Sequence, residues 1–135
     1  MCKKSNQIKF RVRYGETDQM GIVHHANYAR YFEMGRIEWL RAIGSSYASL
    51  EASGILLPVL SLSMSFNKAV KFDDELVLET TLVKEPNYYL EFAYKLFNQD
   101  QICCTEGHTK LVFLNADSRK PIRCPKDLFN RMIDF

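Results

Sequence analysis

The stretch from Tyr14 to Gly44, YGETDQMGIVHHANYARYFEMGRIEWLRAIG, constrains this chain more than any other, because a polar, glycine-containing turn runs there into a helix-like segment. Asn27 is a good N-cap, since its side-chain oxygen can accept from N–H groups that the first turn leaves unpaired. Gly44 is the natural stop. At about 100° per residue, Tyr28, Tyr31, Phe32, Gly35, Trp39, Ala42 and Ile43 gather into one apolar arc. The opposite side mixes Arg30, Glu33 and Arg41 with Met34, Ile37 and Leu40, so the helix has more apolar surface than one face needs. A helix of that kind is wrapped by a sheet or covered by a second subunit.

Asp18 and His25 stand just ahead of this helix. A helix N-terminus carries partial positive charge and unpaired N–H donors, which suit an anion or a developing oxyanion. A carboxylate beside it can attack a carbonyl or activate water while the amides hold the carbonyl oxygen. The plainer alternative is that Asp18 caps a turn and His25 is a surface imidazole.

The run D-x-M-G-I-V-H-H-A-N-Y, followed by E-x-x-R-x-E-W-L, resembles the signature of the hotdog-fold acyl-CoA thioesterases of the 4-hydroxybenzoyl-CoA thioesterase and YbgC-like family. The match lies in Tyr14, Asp18, Gly21, Val23, His25, Asn27, Tyr28 and Glu33, and the compatible strand pattern extends it over nearly the whole chain. The resemblance implies that Asp18 is the catalytic carboxylate and that the backbone N–H of His25 meets the thioester carbonyl. It also implies a substrate site around Gly21, Ile22, Val23, Asn27 and Tyr28. Tyr14 either holds the carboxylate or lines the acyl pocket. Glu33 either orients the substrate or the facing subunit, or pairs with Arg30 or Arg36. Lys68, Lys71, Arg119, Lys120, Arg123 and Lys126 are candidate contacts for the coenzyme A phosphates, or solvated surface charges.

The activity so implied is hydrolysis of acyl-CoA to a free carboxylic acid and coenzyme A, with no cofactor. Two other readings stay open: a thioesterase for acyl groups on acyl carrier protein, and a non-catalytic acyl-CoA-binding protein. Asp18 argues against the binder, which gains nothing from a carboxylate beside the reacting carbonyl. Family members pair by joining sheets edge to edge, so a homodimer or homotetramer is implied.

The strands read as an α+β fold. Ile8, Phe10, Val12 and Tyr14 alternate with Lys9, Arg11 and Arg13, a half-buried strand with one basic face. Ser45 to Ser53 reads as a short helix ending at Gly54. Leu60, Leu62, Met64 and Phe66 then alternate with Ser61, Ser63 and Ser65, and three more strands follow over 75–85, 88–98 and 102–115, separated by Asp, Asn, Pro and Gln turns. A last amphipathic piece spans 125–133. The expected architecture is a single hotdog domain over 1–135, a five-stranded antiparallel sheet wrapped around one long helix.

Several function classes fall away. A net charge of +2 with 25% charged residues argues against a nucleic-acid partner. No apolar run approaches the roughly 18 residues of a membrane span, and the polar start MCKKSNQIK lacks a signal-peptide core, so the cytoplasm is the expected location. Cys2, Cys103, Cys104 and Cys124 have neither zinc-site spacing nor the density of a disulfide framework, and reduced structural thiols are expected. Adjacent His24 and His25 with Asp18 do not make a metal motif. His108 reads as a packed or exposed strand residue. There is no G-x-G-x-x-G, no G-K-[ST] and no G-x-S-x-G, so a carboxylate must do any thioester cleavage.

Overall fold

A computed structural model describes residues 4–135. Along the chain lie β1 (Lys4–Arg11), a 3-10 turn (Tyr14–Glu16), α1 (Ala26–Ala42), α2 (Tyr47–Ala52), β2 (Ile55–Leu56), β3 (Val59–Phe66), β4 (Glu75–Leu82), β5 (Tyr89–Phe97), β6 (Cys103–Val112), β7 (Leu114–Asn115) and α3 (Lys126–Asp134). The main sheet is antiparallel, in the order β1-β4-β5-β6-β3, and α1 packs on it as in a hotdog fold. The small β2–β7 pair, absent from the sequence expectation, joins Ile55 to Asn115 and Leu56 to Leu114. Two residues per strand are too few to show any alternation. Cys2, one of the thiols considered above, lies outside the described residues.

Period two explains the sheet. Leu76, Leu78, Thr80 and Leu82 on β4, and Leu90, Phe92, Tyr94 and Leu96 on β5, are buried in alternation with partly exposed neighbours. Against that face α1 lays its aromatic side chains. Phe32 stacks on Tyr94 at 4.3 Å, Tyr31 meets Phe10 at 4.8 Å, and Trp39 stands edge-on to Phe92 at 5.0 Å. Each such burial contributes about 1.5–3 kcal/mol, which outweighs the mediocre helix propensity of Tyr, Phe and Trp. Gly107 is small because Phe32 lies over it; a Cβ there would run into the ring.

The helix differs from expectation at its start and in its buried face. It begins at Ala26, so Asn27 is a first-turn residue and not the cap. His25 holds the cap position without a side-chain cap, and His24 before it satisfies the first donors: its Nδ1 accepts the Ala26 N–H at 3.1 Å, and its carbonyl accepts the Asn27 N–H at 2.9 Å. Gly44 does end the helix at φ +81°, with the Ser45 N–H returning to the Leu40 carbonyl. Ala42 is exposed, whereas Leu40 and Arg36 are buried. Leu40 joins Leu50, Leu128 and Met132 in one core, because α2 and α3 cover the side of the helix that the sheet does not. Arg131 of α3 donates to the Ile43 and Gly44 carbonyls and so ties that cover to the end of α1.

Arg36 is only 5% exposed and donates to the Tyr47 hydroxyl at 3.2 Å and the Tyr94 hydroxyl at 3.1 Å. Tyr94 in turn shares a 2.6 Å hydrogen bond with Thr109. The guanidinium is therefore buried on neutral oxygens, which its aliphatic stem and planar donors allow. The described cysteines, Cys103, Cys104 and Cys124, are free thiols; Cys104 is buried, and burial pushes the Cys124 thiol up to about 12, far from a reactive thiolate.

The two outer strands of the sheet are unlike. The β1 edge carries Lys4, Lys9 and Arg11, whereas β3 has no charged residue between Val59 and Phe66. Leu60, Leu62 and Phe66 on β3 are 56%, 43% and 54% exposed.

Candidate active site

β1 ends at Arg11, three residues short of the expected boundary, and the chain turns through the 3-10 segment that contains Tyr14. The loop after it is closed by its own backbone. Thr17 bridges to Val23, the Asp18 N–H donates to the Ile22 carbonyl at 2.9 Å, and the Gly21 N–H returns to the Asp18 carbonyl at 3.0 Å. Gly21 has φ +77°, a conformation that glycine adopts without strain. Ile22 then pairs with Lys71 and the Val23 N–H donates to the Val70 carbonyl, which fixes the loop to the segment before β4.

Within this loop Asp18 is held by one oxygen. Its Oδ1 accepts the Met20 N–H at 2.8 Å, an Asx turn, so the plain turn-forming role is real. Among the described residues no hydrogen bond reaches Oδ2. Asp18 lines two clefts at once. One, of about 740 Å³, is bordered by Tyr14, Gly15, Thr17, Gln19, His24, Ala26, Asn27 and Arg30 and is the more polar of the two. The other, of about 280 Å³, has an apolar floor of Met20, Ile22, Val23, Tyr28, Phe66 and Ala69, with His25, Asn67 and Lys68 at its rim. Tyr28 and Phe66 meet at 5.0 Å in a T-shaped pair.

The start of α1 supplies fewer free donors than a bare helix end. The Ala26, Asn27 and Tyr28 N–H groups go to His24 Nδ1, the His24 carbonyl and the His25 carbonyl, and the His24 N–H goes to the Glu16 carbonyl. Of the N–H groups from His24 to Tyr28, that of His25 alone has no acceptor among the described residues. His25 has helical φ and ψ at the cap position, and its exposed ring stacks on His24 at 4.3 Å. One donor at the positive end of a 17-residue helix is thus left open beside the Asp18 cleft.

Most of the residues expected at the site converge here, divided between the two clefts. Asp18, His25, Ile22, Val23 and Tyr28 share the apolar one, and Tyr14 and Asn27 join Asp18 in the polar one, while Gly21 shapes the loop. Tyr14 makes no hydrogen bond to Asp18; it is largely exposed, with its ring edge-on to Phe72 at 5.6 Å. Glu33 is exposed outside both clefts, and among the described residues it pairs with neither Arg30 nor Arg36. Of the basic candidates Lys68 borders a cleft, whereas Arg123 lies over the Tyr88 ring. Arg30, which the sequence reading had only as a helix charge, borders the polar cleft.

Glu16, which no sequence motif marks, is held at the edge of this site. Its carboxylate accepts from the Arg13 N–H at 2.8 Å, from the Arg13 guanidinium at 2.9 and 3.1 Å, and from the Tyr31 hydroxyl at 2.9 Å. Burial by itself pushes the carboxyl up, but these donors outweigh it and leave Glu16 below the usual carboxylate range. A glutamate in a polar turn gives no sequence signal of this, since Tyr31 is fifteen residues away.

Residues 12–132 match the model of the thioesterase-like superfamily. The chain is 30% identical over 118 residues to the putative acyl-CoA thioesterase YneP of Bacillus subtilis, covering 87% of this chain and 86% of the relative. It is also 30% identical over 133 residues to a chloroplastic acyl-acyl carrier protein thioesterase of Arabidopsis thaliana, covering 96% of this chain and 68% of that one. Among solved structures, a DHNA-CoA thioesterase from Staphylococcus aureus superimposes with a TM-score of 0.85 at 33% identity, covering 88% of this chain and 80% of the other.

Proposed function

The chain belongs to the thioesterase-like superfamily, and from that membership we propose how it works as an acyl-CoA thioesterase. It hydrolyses a CoA thioester to the free carboxylic acid and coenzyme A. The observation that carries the mechanism is the meeting, in one cleft, of the half-free carboxylate of Asp18 and the one open amide at the start of α1, that of His25.

Asp18 Oδ2 takes the proton of a water whose oxygen adds to the thioester carbon, or adds to that carbon itself to form an anhydride that water then opens. Both routes use the same oxygen. In each, negative charge moves onto the carbonyl oxygen, the His25 N–H and the helix dipole receive it, and the C–S bond breaks as the thiolate leaves. The His25 imidazole adds a hydrogen bond to the carbonyl oxygen or the leaving sulfur.

Polarity assigns the two clefts. The acyl group lies over Ile22, Val23, Tyr28 and Phe66, and the pantetheine arm crosses Asp18 toward Tyr14, Asn27 and Arg30. The loop containing Gly21 keeps the two clefts adjacent.

The active form is a homo-oligomer, at least a dimer, from a single domain of this chain. The uncharged β3 edge and its exposed Leu60, Leu62 and Phe66 are suited to pairing, whereas the charged β1 edge resists it. Phe66 belongs to both this edge and the apolar cleft, so a second copy would border the acyl site, with Glu33 toward it. Among the described residues no helix is long and apolar enough to cross a membrane. A cytoplasmic location remains part of this proposal.

Thiol release across short, long and aromatic acyl-CoAs tests the activity, with the same acyl groups on acyl carrier protein in parallel. Turnover of at least one acyl-CoA is expected. Turnover of acyl carrier protein thioesters alone favours the second reading, which the Arabidopsis relative's name supports.

A further inference from the structure

We propose that Glu16 is a positioning residue for Asp18, holding the loop with its carboxylate at a set distance from the start of α1. The proposal rests on the reading of Asp18 as the catalytic carboxylate. Glu16 grips the helix twice. Its backbone carbonyl accepts the His24 N–H at 2.9 Å and Asn27 Nδ2 at 2.8 Å, and its carboxylate accepts the Tyr31 hydroxyl one turn further on. Asn27 and Tyr31 are four residues apart and project from one side of α1, so the two contacts form a line along the helix. Tyr31 is itself fixed, fully buried against Phe10 and Tyr28.

Asp18 follows Glu16 by two residues, with only Thr17 between them, and Thr17 is pinned to Val23. There is little slack in so short a segment. A shift of Glu16 therefore carries Asp18 away from the His25 amide, and a misplacement of about 1 Å can cost about 10²-fold in rate. The Tyr31 phenol is pushed up by burial and by the neighbouring Glu16 carboxylate, so it remains protonated and donates to that carboxylate. The Arg13 guanidinium is exposed and adds a solvent-facing pair of the kind that is worth little alone. The Arg13 N–H, at 2.8 Å, ties the same carboxylate only to its own turn, so Tyr31 is the contact that links the carboxylate to α1.

The test is a pair of thermodynamic cycles read as kcat and KM, with the melting temperature of each variant alongside. Glu16→Ala is expected to lower kcat by about 10 to 10²-fold with KM within about twofold. Tyr31→Phe keeps the ring in the core and removes only the hydroxyl; it is expected to lower kcat by about 3 to 10-fold, and to add nothing further in the Glu16→Ala background. In the Asp18→Asn background neither change is expected to slow the residual rate, because the carboxylate they position is gone.

A Glu16→Ala enzyme with wild-type kcat, beside a slow Asp18→Asn enzyme, overturns the positioning role and leaves the role of Asp18 standing. Equal slowing by Glu16→Ala with and without Asp18 also overturns it, since that is what a scaffold residue does. Wild-type turnover in Asp18→Asn overturns the catalytic reading and this proposal together. If Glu16→Ala does not fold, Tyr31→Phe decides: an unchanged kcat contradicts the proposal.

Discussion

Met20 donates its backbone N–H to Oδ1 of Asp18 at 2.8 Å, so one carboxylate oxygen is fixed by the loop while the other is left for chemistry. An Asx turn needs the short aspartate side chain. Asp18→Glu keeps the charge but moves the carboxylate outward by a methylene and loses this bond. We expect kcat to fall by about 10²-fold with the fold intact, as measured by thiol release and circular dichroism. Near wild-type kcat in this variant would show that the turn does not set the carboxylate's position.

His25 separates side chain from backbone. His25→Ala keeps the N–H and is expected to lose less than about 10-fold. The backbone at His25, with φ −56°, suits proline, and His25→Pro deletes the donor. Loss of one oxyanion donor costs about 10² to 10³-fold in kcat. Equal losses in the two variants would move the role from the amide to the imidazole.

The β3 edge is open to a direct test by sedimentation at micromolar concentration. The native chain is expected to run as a dimer or larger. Leu62→Lys puts a charge on an exposed edge position and is expected to yield monomer with much reduced turnover. A stable, fully active monomer of native sequence would refute the shared site.

On the outer sheet face, Glu91 accepts from Lys84 at 2.9 Å and lies 3.2 Å from His108. The Lys84 hydrogen bond is the main cause that holds the Glu91 carboxyl below its ordinary value of 4.5. A depressed carboxylate contributes stability that is present above the unfolded value and is lost as pH falls through the folded one. The melting temperature of Glu91→Gln is therefore expected to lie below the native one near neutral pH and to converge with it as pH falls below 4.5 through the lowered folded value. A constant gap across that range would contradict the ionic contribution.

The legible parts of this fold were those set by local pattern. Alternation at Ile8 and Phe10 marked β1, and Gly44 and Gly54 ended their helices with positive φ. The burial of Arg36 was not legible, because the two hydroxyls that satisfy it come from α2 and from β5, eleven and fifty-eight residues away. Leu40 and Ala42 exchanged roles for a related reason: a helical wheel assumes one covered face, and α3 covers a second. At the candidate site, the motif names Asp18 and His25, which line one cleft, whereas nothing in the sequence marks Glu16, whose carboxylate meets the Tyr31 hydroxyl only once the helix has folded against it.

The account stands most directly on the turnover of Asp18→Asn, compared with the native enzyme by thiol release from its preferred acyl-CoA. The amide keeps the shape and the bond from Met20 but can neither attack a carbonyl nor take a proton. The account predicts a fall in kcat of about 10² to 10⁴-fold, with binding of the acyl-CoA retained. Turnover at the native rate would contradict it.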